Sequence, residues 1–99
     1  MTTPVDIGTL IVTKPGYAGG KPHIQGTGIT VISVGLFAQD GEAAEQIISE
    51  HYPQLSLAQV YAALAYFHVN RAEIDAILDE EERIFREGEA AQHTVADRR

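Results

Sequence analysis

Four histidines, His23, His51, His68 and His93, are the side chains best suited to proton transfer or metal ligation, yet none is paired at a ligand spacing such as His-x-x-x-His. They read as surface or half-buried residues. There is no cysteine, which removes thiolate metal sites, a thiol nucleophile and any disulfide framework. The acidic run Asp79-Glu80-Glu81-Glu82 fans around a helix axis instead of converging on a cation. Gly16-Tyr17-Ala18-Gly19-Gly20-Lys21 is superficially a phosphate-cradling loop, but Pro22 stands where a magnesium-holding hydroxyl is needed. Lys21 then remains to touch a phosphate or a partner carboxylate. No nucleophile, base and orienting group can be proposed together, so no catalytic residue, cofactor or metal is expected and the chain is read as non-enzymatic.

What remains is recognition chemistry. A helix, a short connection and a second helix opened by Ser56 outline a helix-turn-helix within a three-helix core from 30 to 70. Ser56 and Gln59 lie on the first turn of the second of these helices, and Gln59 has the group that reads an adenine edge. Taken singly, each also fits a plainer role as a cap and a solvated amide. Residues 39 to 70 contain no Lys or Arg, which leaves Lys14, Lys21 and Arg71 as candidates for phosphate contact.

A second pattern lies downstream. Val60, Leu64, Phe67, Arg71, Ile74, Leu78, Glu81 and Phe85 advance alternately by four and three, a heptad seam with six apolar members among eight. A break near Asn70 would leave the second half of that seam without a core of its own. Ile74, Ile77, Leu78, Glu81 and Phe85 are therefore candidate contacts for a partner chain or a second copy. The alternative is that this helix folds back on the amino-terminal strand.

The elements that must carry these residues follow from periodicity and capping. Thr9-Leu10-Ile11-Val12-Thr13 reads as a short strand, with a second at His23 to Gln25 inside a glycine-rich ordered loop. A helix starts at Thr30 and stops at Asp40-Gly41. The next covers Glu42 to His51, with Ala43, Ala44, Ile47 and Ile48 inward and Glu42, Glu45 and Glu50 outward. Ser56 and Gln59 form a capping box for a third helix, whose buried stripe is Leu57, Val60, Tyr61, Leu64 and Phe67, with Ala62 and Ala63 on the exposed side. Asn70 and Glu73 repeat the cap-plus-acid spacing, so a restart is expected there, ending near Gly88 with fraying after Gln92. The parts are then 1–29, hairpin and Gly-rich loop; 30–70, helix-turn-helix core; 71–92, partner or dimerisation helix; and 93–99, tail.

Composition bounds the rest. At 99 residues, 44% hydrophobic and 21% charged, the chain is one globular module. Its net charge of −7 excludes a broad basic surface for nucleic acid or anionic lipid. The charge is uneven: residues 1–40 balance to 0, 41–70 to −3 and 71–99 to −4. No apolar run approaches a membrane span and the start is unlike a signal peptide, so a cytoplasmic protein is expected.

The run from Gly20-Lys21-Pro22-His23-Ile24-Gln25-Gly26-Thr27-Gly28 to Val31, then Gly41, Ile47, Tyr52-Pro53-Gln54-Leu55-Ser56 and Val60 to Phe67, resembles the domain-of-unknown-function 433 family across about residues 8 to 78. The resemblance implies an amino-terminal β-hairpin and a homeodomain-like or winged-helix-like domain with an added carboxy-terminal helix, mainly α overall. It also implies a prokaryotic antitoxin of the VapB type that binds and neutralises a PIN-like ribonuclease toxin and represses its own operon. Relatives often carry proline where Arg71 stands, consistent with a restart there. Two departures stand out: Gly28 takes the place of an arginine usual after the Gly-Thr pair, and Ala43-Ala44 replace a Ser-Pro helix opening. Loss of that arginine makes operator DNA binding dependent on a dimer or on charge from the toxin. The expected function is thus an antitoxin; the alternatives are a stand-alone transcriptional regulator and a homodimeric adaptor with no DNA role.

Overall fold

The computed structural model describes residues 4–97, and side chains as far as Gly88. The protein is mainly helical, with a two-stranded antiparallel hairpin ahead of four α-helices. It divides into two compact units, Met1–Val69 and Asn70–Arg99. No helix among the described residues is long and apolar enough to cross a membrane.

In the first unit, strand β1 is only Ile11–Val12, because the residues before it are taken by a 3-10 turn, Ile7–Leu10. Asp6 fixes that turn: its carboxylate accepts from the Gly8 amide at 2.9 Å, and its carbonyl accepts from the Thr9 hydroxyl at 2.7 Å. The strand expected over Thr9–Thr13 is shortened accordingly. Strand β2, His23–Ile24, pairs with it in the register Ile11 to Ile24 and Val12 to His23.

Helix α1, Val31–Gln39, is capped by Thr30, whose hydroxyl accepts from the Ser33 amide at 3.2 Å. It ends where expected, with Gly41 at φ +94°. There Gly41 N–H bonds to Ala38 O and Glu42 N–H to Phe37 O, the paired bonds of a Schellman stop that only glycine adopts without strain.

Helix α2 is Ala44–Glu50, shorter than the expected 42–51, since Ala43 is an exposed N-cap with no side-chain acceptor. Ala44 and Ile47 are buried as expected, while Ile48 is half-buried. Glu42 departs from expectation: it is half-buried and turned toward His51.

Helix α3, Leu57–Val69, has a rotated buried face. Val60, Ala62, Ala63 and Phe67 face inward, whereas Leu57 and Tyr61 are 43% and 54% exposed. The cause is a close helix crossing. A Cβ built on Gly35 of α1 would lie 2.1 Å from Phe67 Cδ2, so Phe67 occupies the volume a side chain there would need. Small residues on α3 allow such an approach, and periodicity weighted by side-chain size misses it. The core of this unit is Ile24, Val31, Ile32, Val34, Ala44, Ile47, Leu55, Val60, Ala62, Ala63 and Phe67.

The second unit is helix α4, Arg71–Asp97. A separate helix begins after Asn70 as expected, with Ile74 N–H donating to Asn70 O at 3.0 Å. It does not stop at Gly88. One exposed glycine costs a helix about 1 kcal/mol, which Ala90, Ala91 and Gln92 beyond it can offset through good propensity. The expected fraying after Gln92 falls on backbone that is helical to Asp97, and residues 98–99 lie outside those described.

Candidate functional site

The motif Gly20 to Gly28 is structural in its local chemistry. Pro22, His23 and Ile24 are buried. The Thr27 hydroxyl donates to Ile24 O at 2.9 Å and accepts from the Ile29 amide at 3.0 Å, closing the turn around Gly26 at φ +81°. Ile24 N–H bonds to Ile29 O and Val31 N–H to Pro22 O, so the loop is tied both to itself and to the start of α1. His23 corrects the expectation of a surface or half-buried histidine: it is 1% exposed, its Nδ1 lies 2.9 Å from Lys21 O, and its ring packs 4.9 Å from that of Tyr17. The Thr27 bridge and buried imidazole explain why a threonine and a histidine stand in this run without invoking a ligand.

The DNA-contact candidates are scattered or locally engaged. Ser56 N–H donates to Gln59 Oε1 at 2.8 Å, and Gln59 N–H donates to Ser56 Oγ at 3.2 Å. This is the reciprocal capping box expected from the spacing, and it uses the groups that would read a base. Arg71 Nε donates to Asp75 at 3.0 Å on α4. Lys14 is exposed, with its ammonium 5.9 Å from the centroid of the Tyr17 ring, and Lys21 is half-buried with its backbone built into the loop. In the first unit, then, Lys14 is the exposed cation of the set.

The partner-contact candidates lie on α4. Successive residues turn by about 100°, which places Ile74, Ile77, Leu78, Glu81, Ile84 and Phe85 on one face. Exposure rises along that face. Ile74 is fully buried, which removes it from the set available to a partner, and Ile77 and Leu78 are half-buried. Glu81 is exposed, and Ile84 and Phe85 are 56% and 70% exposed. The remaining arc carries charge. Arg83 bonds Glu80 and, at 2.7 Å, Glu87, and Arg86 lies 3.9 Å from Glu82. These bonds from Arg83 hold the Glu80 carboxyl below its ordinary range and raise the Arg83 guanidinium.

One constellation has no counterpart in the sequence reading. The His51 ring stacks on Phe37, centroids 3.7 Å apart and planes within 9°, and its Nε2 lies 2.9 and 3.1 Å from the two carboxylate oxygens of Glu42. Glu50 is adjacent, and the donor atoms of the three residues lie within 4.8 Å of one another. These residues could hold a cation. Glu42 precedes α2 and Glu50 and His51 end it, a separation that matches no ligand spacing motif. The signal available was Phe37, an aromatic near a helix end that could shelve an imidazole. His68 is exposed with its ring edge-on to Phe67, and the His93 side chain lies outside the described residues.

The profile of a family described as a protein of unknown function, DUF433, matches residues 11–67, more than half of the chain. That span ends before α4 begins, short of the stretch 8 to 78 expected from the motifs. A crystal structure of a DUF433 member protein from Anabaena variabilis ATCC 29413 is similar over 72% of this chain and 69% of that one, at 28% identity and a TM-score of 0.65. No curated protein matches the sequence. With the profile covering the hairpin and all but the last two residues of α3, and a solved member sharing the fold, this chain belongs to the DUF433 family.

Proposed function

We propose that the chain is a non-enzymatic antitoxin that neutralises a PIN-like ribonuclease by docking α4 on it. The observation that carries this reading is a pair of large apolar side chains, Ile84 and Phe85, more than half exposed on a helix dense in acid. Arg71–Asp97 holds nine acids against three arginines. A ribonuclease cleft that binds RNA is basic, so an acidic helix is drawn to it and occupies the position of the substrate. Burying the phenylalanine and isoleucine at the centre of the contact supplies the apolar anchor that charge alone lacks.

An operator-binding role has weaker support in this chain. Ser56 and Gln59 are engaged in the capping box and Arg71 with Asp75. With no Lys or Arg from 39 to 70, DNA contact then rests on Lys14 and Lys21 together with cations contributed by the toxin or a second copy. The test is co-expression with the product of the adjacent reading frame, which this reading requires to be a PIN-like ribonuclease. The wild-type chain co-purifies with it and suppresses RNA cleavage, while the full-length variant Phe85→Asp does neither. A stable homodimer that leaves nuclease activity untouched would favour an adaptor, and salt-sensitive operator binding by the chain alone would favour a regulator.

A further inference from the structure

Beyond partner binding, the first unit carries a second group of chemically active side chains. We propose that Glu42, Glu50 and His51 form a binding site for one divalent ion of the zinc class. Donor spacing supports it: His51 Nε2 and the Glu42 oxygens are 2.9 and 3.1 Å apart, and one donor atom from each of the three residues lies within 4.8 Å of the others. Two ligands about 2.1 Å from a tetrahedral ion stand about 3.4 Å apart, so the pair needs only a small opening to admit it. The ion takes the place of the direct contact between imidazole and carboxylate.

The scaffold is set before any ion arrives. Glu42 is anchored by its own amide on Phe37 O at 3.2 Å, part of the stop that ends α1. The Phe37 ring shelves His51 flat on one face and meets the Tyr52 ring edge-on at 6.0 Å. The imidazole therefore presents Nε2 in a fixed direction, as ligand orientation by neighbours requires. Glu50 enters from the last turn of α2, with Gln46 Nε2 donating to one of its oxygens at 3.4 Å and the other oxygen left to coordinate.

Charge and ligand type set the ion. From Pro22 to Asn70 the sequence has no Lys or Arg, so no cation of that stretch balances the two carboxylates. An imidazole nitrogen with two carboxylates suits zinc and its neighbours better than magnesium or calcium, which prefer all-oxygen sets. Three protein ligands leave one position for water.

The test is titration of the full-length protein with zinc chloride at neutral pH by calorimetry, repeated with cobalt as a visible-absorption reporter. Saturable one-to-one binding is expected, with a rise in melting temperature by mass action. Glu50→Gln and His51→Gln each weaken it about tenfold or more. Glu50 is exposed, so its variant remains folded and decides the matter if His51→Gln does not. Absence of saturable binding, or equal binding by the Glu50→Gln protein, overturns the proposal. Neither result bears on toxin neutralisation, which rests on α4.

Discussion

The hairpin with helices α1 to α3 and the single helix α4 use the same residue types to opposite ends. In the first region polar side chains serve the backbone: Asp6, Thr27, Thr30, Ser56 and Gln59 each close a turn or cap, and an apolar core is buried although Ile7, Leu57, Tyr61 and Val69 stay in solvent. In α4 polar side chains pair among themselves along the helix, and Ile84 and Phe85 are left in solvent. Under the proposed function, the two large apolar side chains that α4 leaves uncovered on its acidic length are the surface it offers a partner. The family profile covers residues 11–67, within the first region, and stops before the second.

The contrast is sharpest between two phenylalanines. Phe67 is fully buried, and Phe67→Ala is expected to cost about 3–5 kcal/mol in chemical denaturation. Phe85→Ala, at an exposed site, should change stability by no more than about 0.5 kcal/mol. Equal losses at the two positions would erase the distinction between the regions. Gly35→Ala comes next, because its Cβ would meet the Phe67 ring; overpacking of this kind costs about 1–3 kcal/mol, read as a lowered denaturation midpoint with an unchanged slope. Ser56→Ala removes a cap and should cost about 1 kcal/mol.

The smallest effect lies in α4. The folded Glu80 carboxyl titrates below its ordinary value of 4.5 because Arg83 bonds it. Its contribution is therefore present above the unfolded value and lost as pH falls through the folded one. Helicity followed by circular dichroism should decline slightly on acidification below the ordinary glutamate range, and Glu80→Gln should flatten that part of the curve.

Much of this was legible in the sequence where a local rule decides the outcome. The helix start at Thr30, the Gly41 stop, the Ser56–Gln59 box and the restart after Asn70 each follow from residues a few positions apart. The errors came where the decision is tertiary. Leu57 and Tyr61 were expected inside because they are large, but the Gly35–Phe67 crossing selects the alanines. His23 is expected at the surface or half-buried, because nothing in its immediate neighbours reveals that the hairpin buries it. The Glu42–Glu50–His51 group was invisible because it is assembled on the Phe37 ring across a turn and a helix, not by sequence spacing.

The central claim is that the exposed face of α4 is the partner-binding surface. The most direct measurement is calorimetric titration of the PIN-like ribonuclease that this reading requires with the full-length chain, wild type against Phe85→Asp, after confirming equal melting temperatures. Saturable binding by the wild type, weakened by two orders of magnitude or more in the variant, is the predicted result. Equal affinity of the two proteins would contradict it.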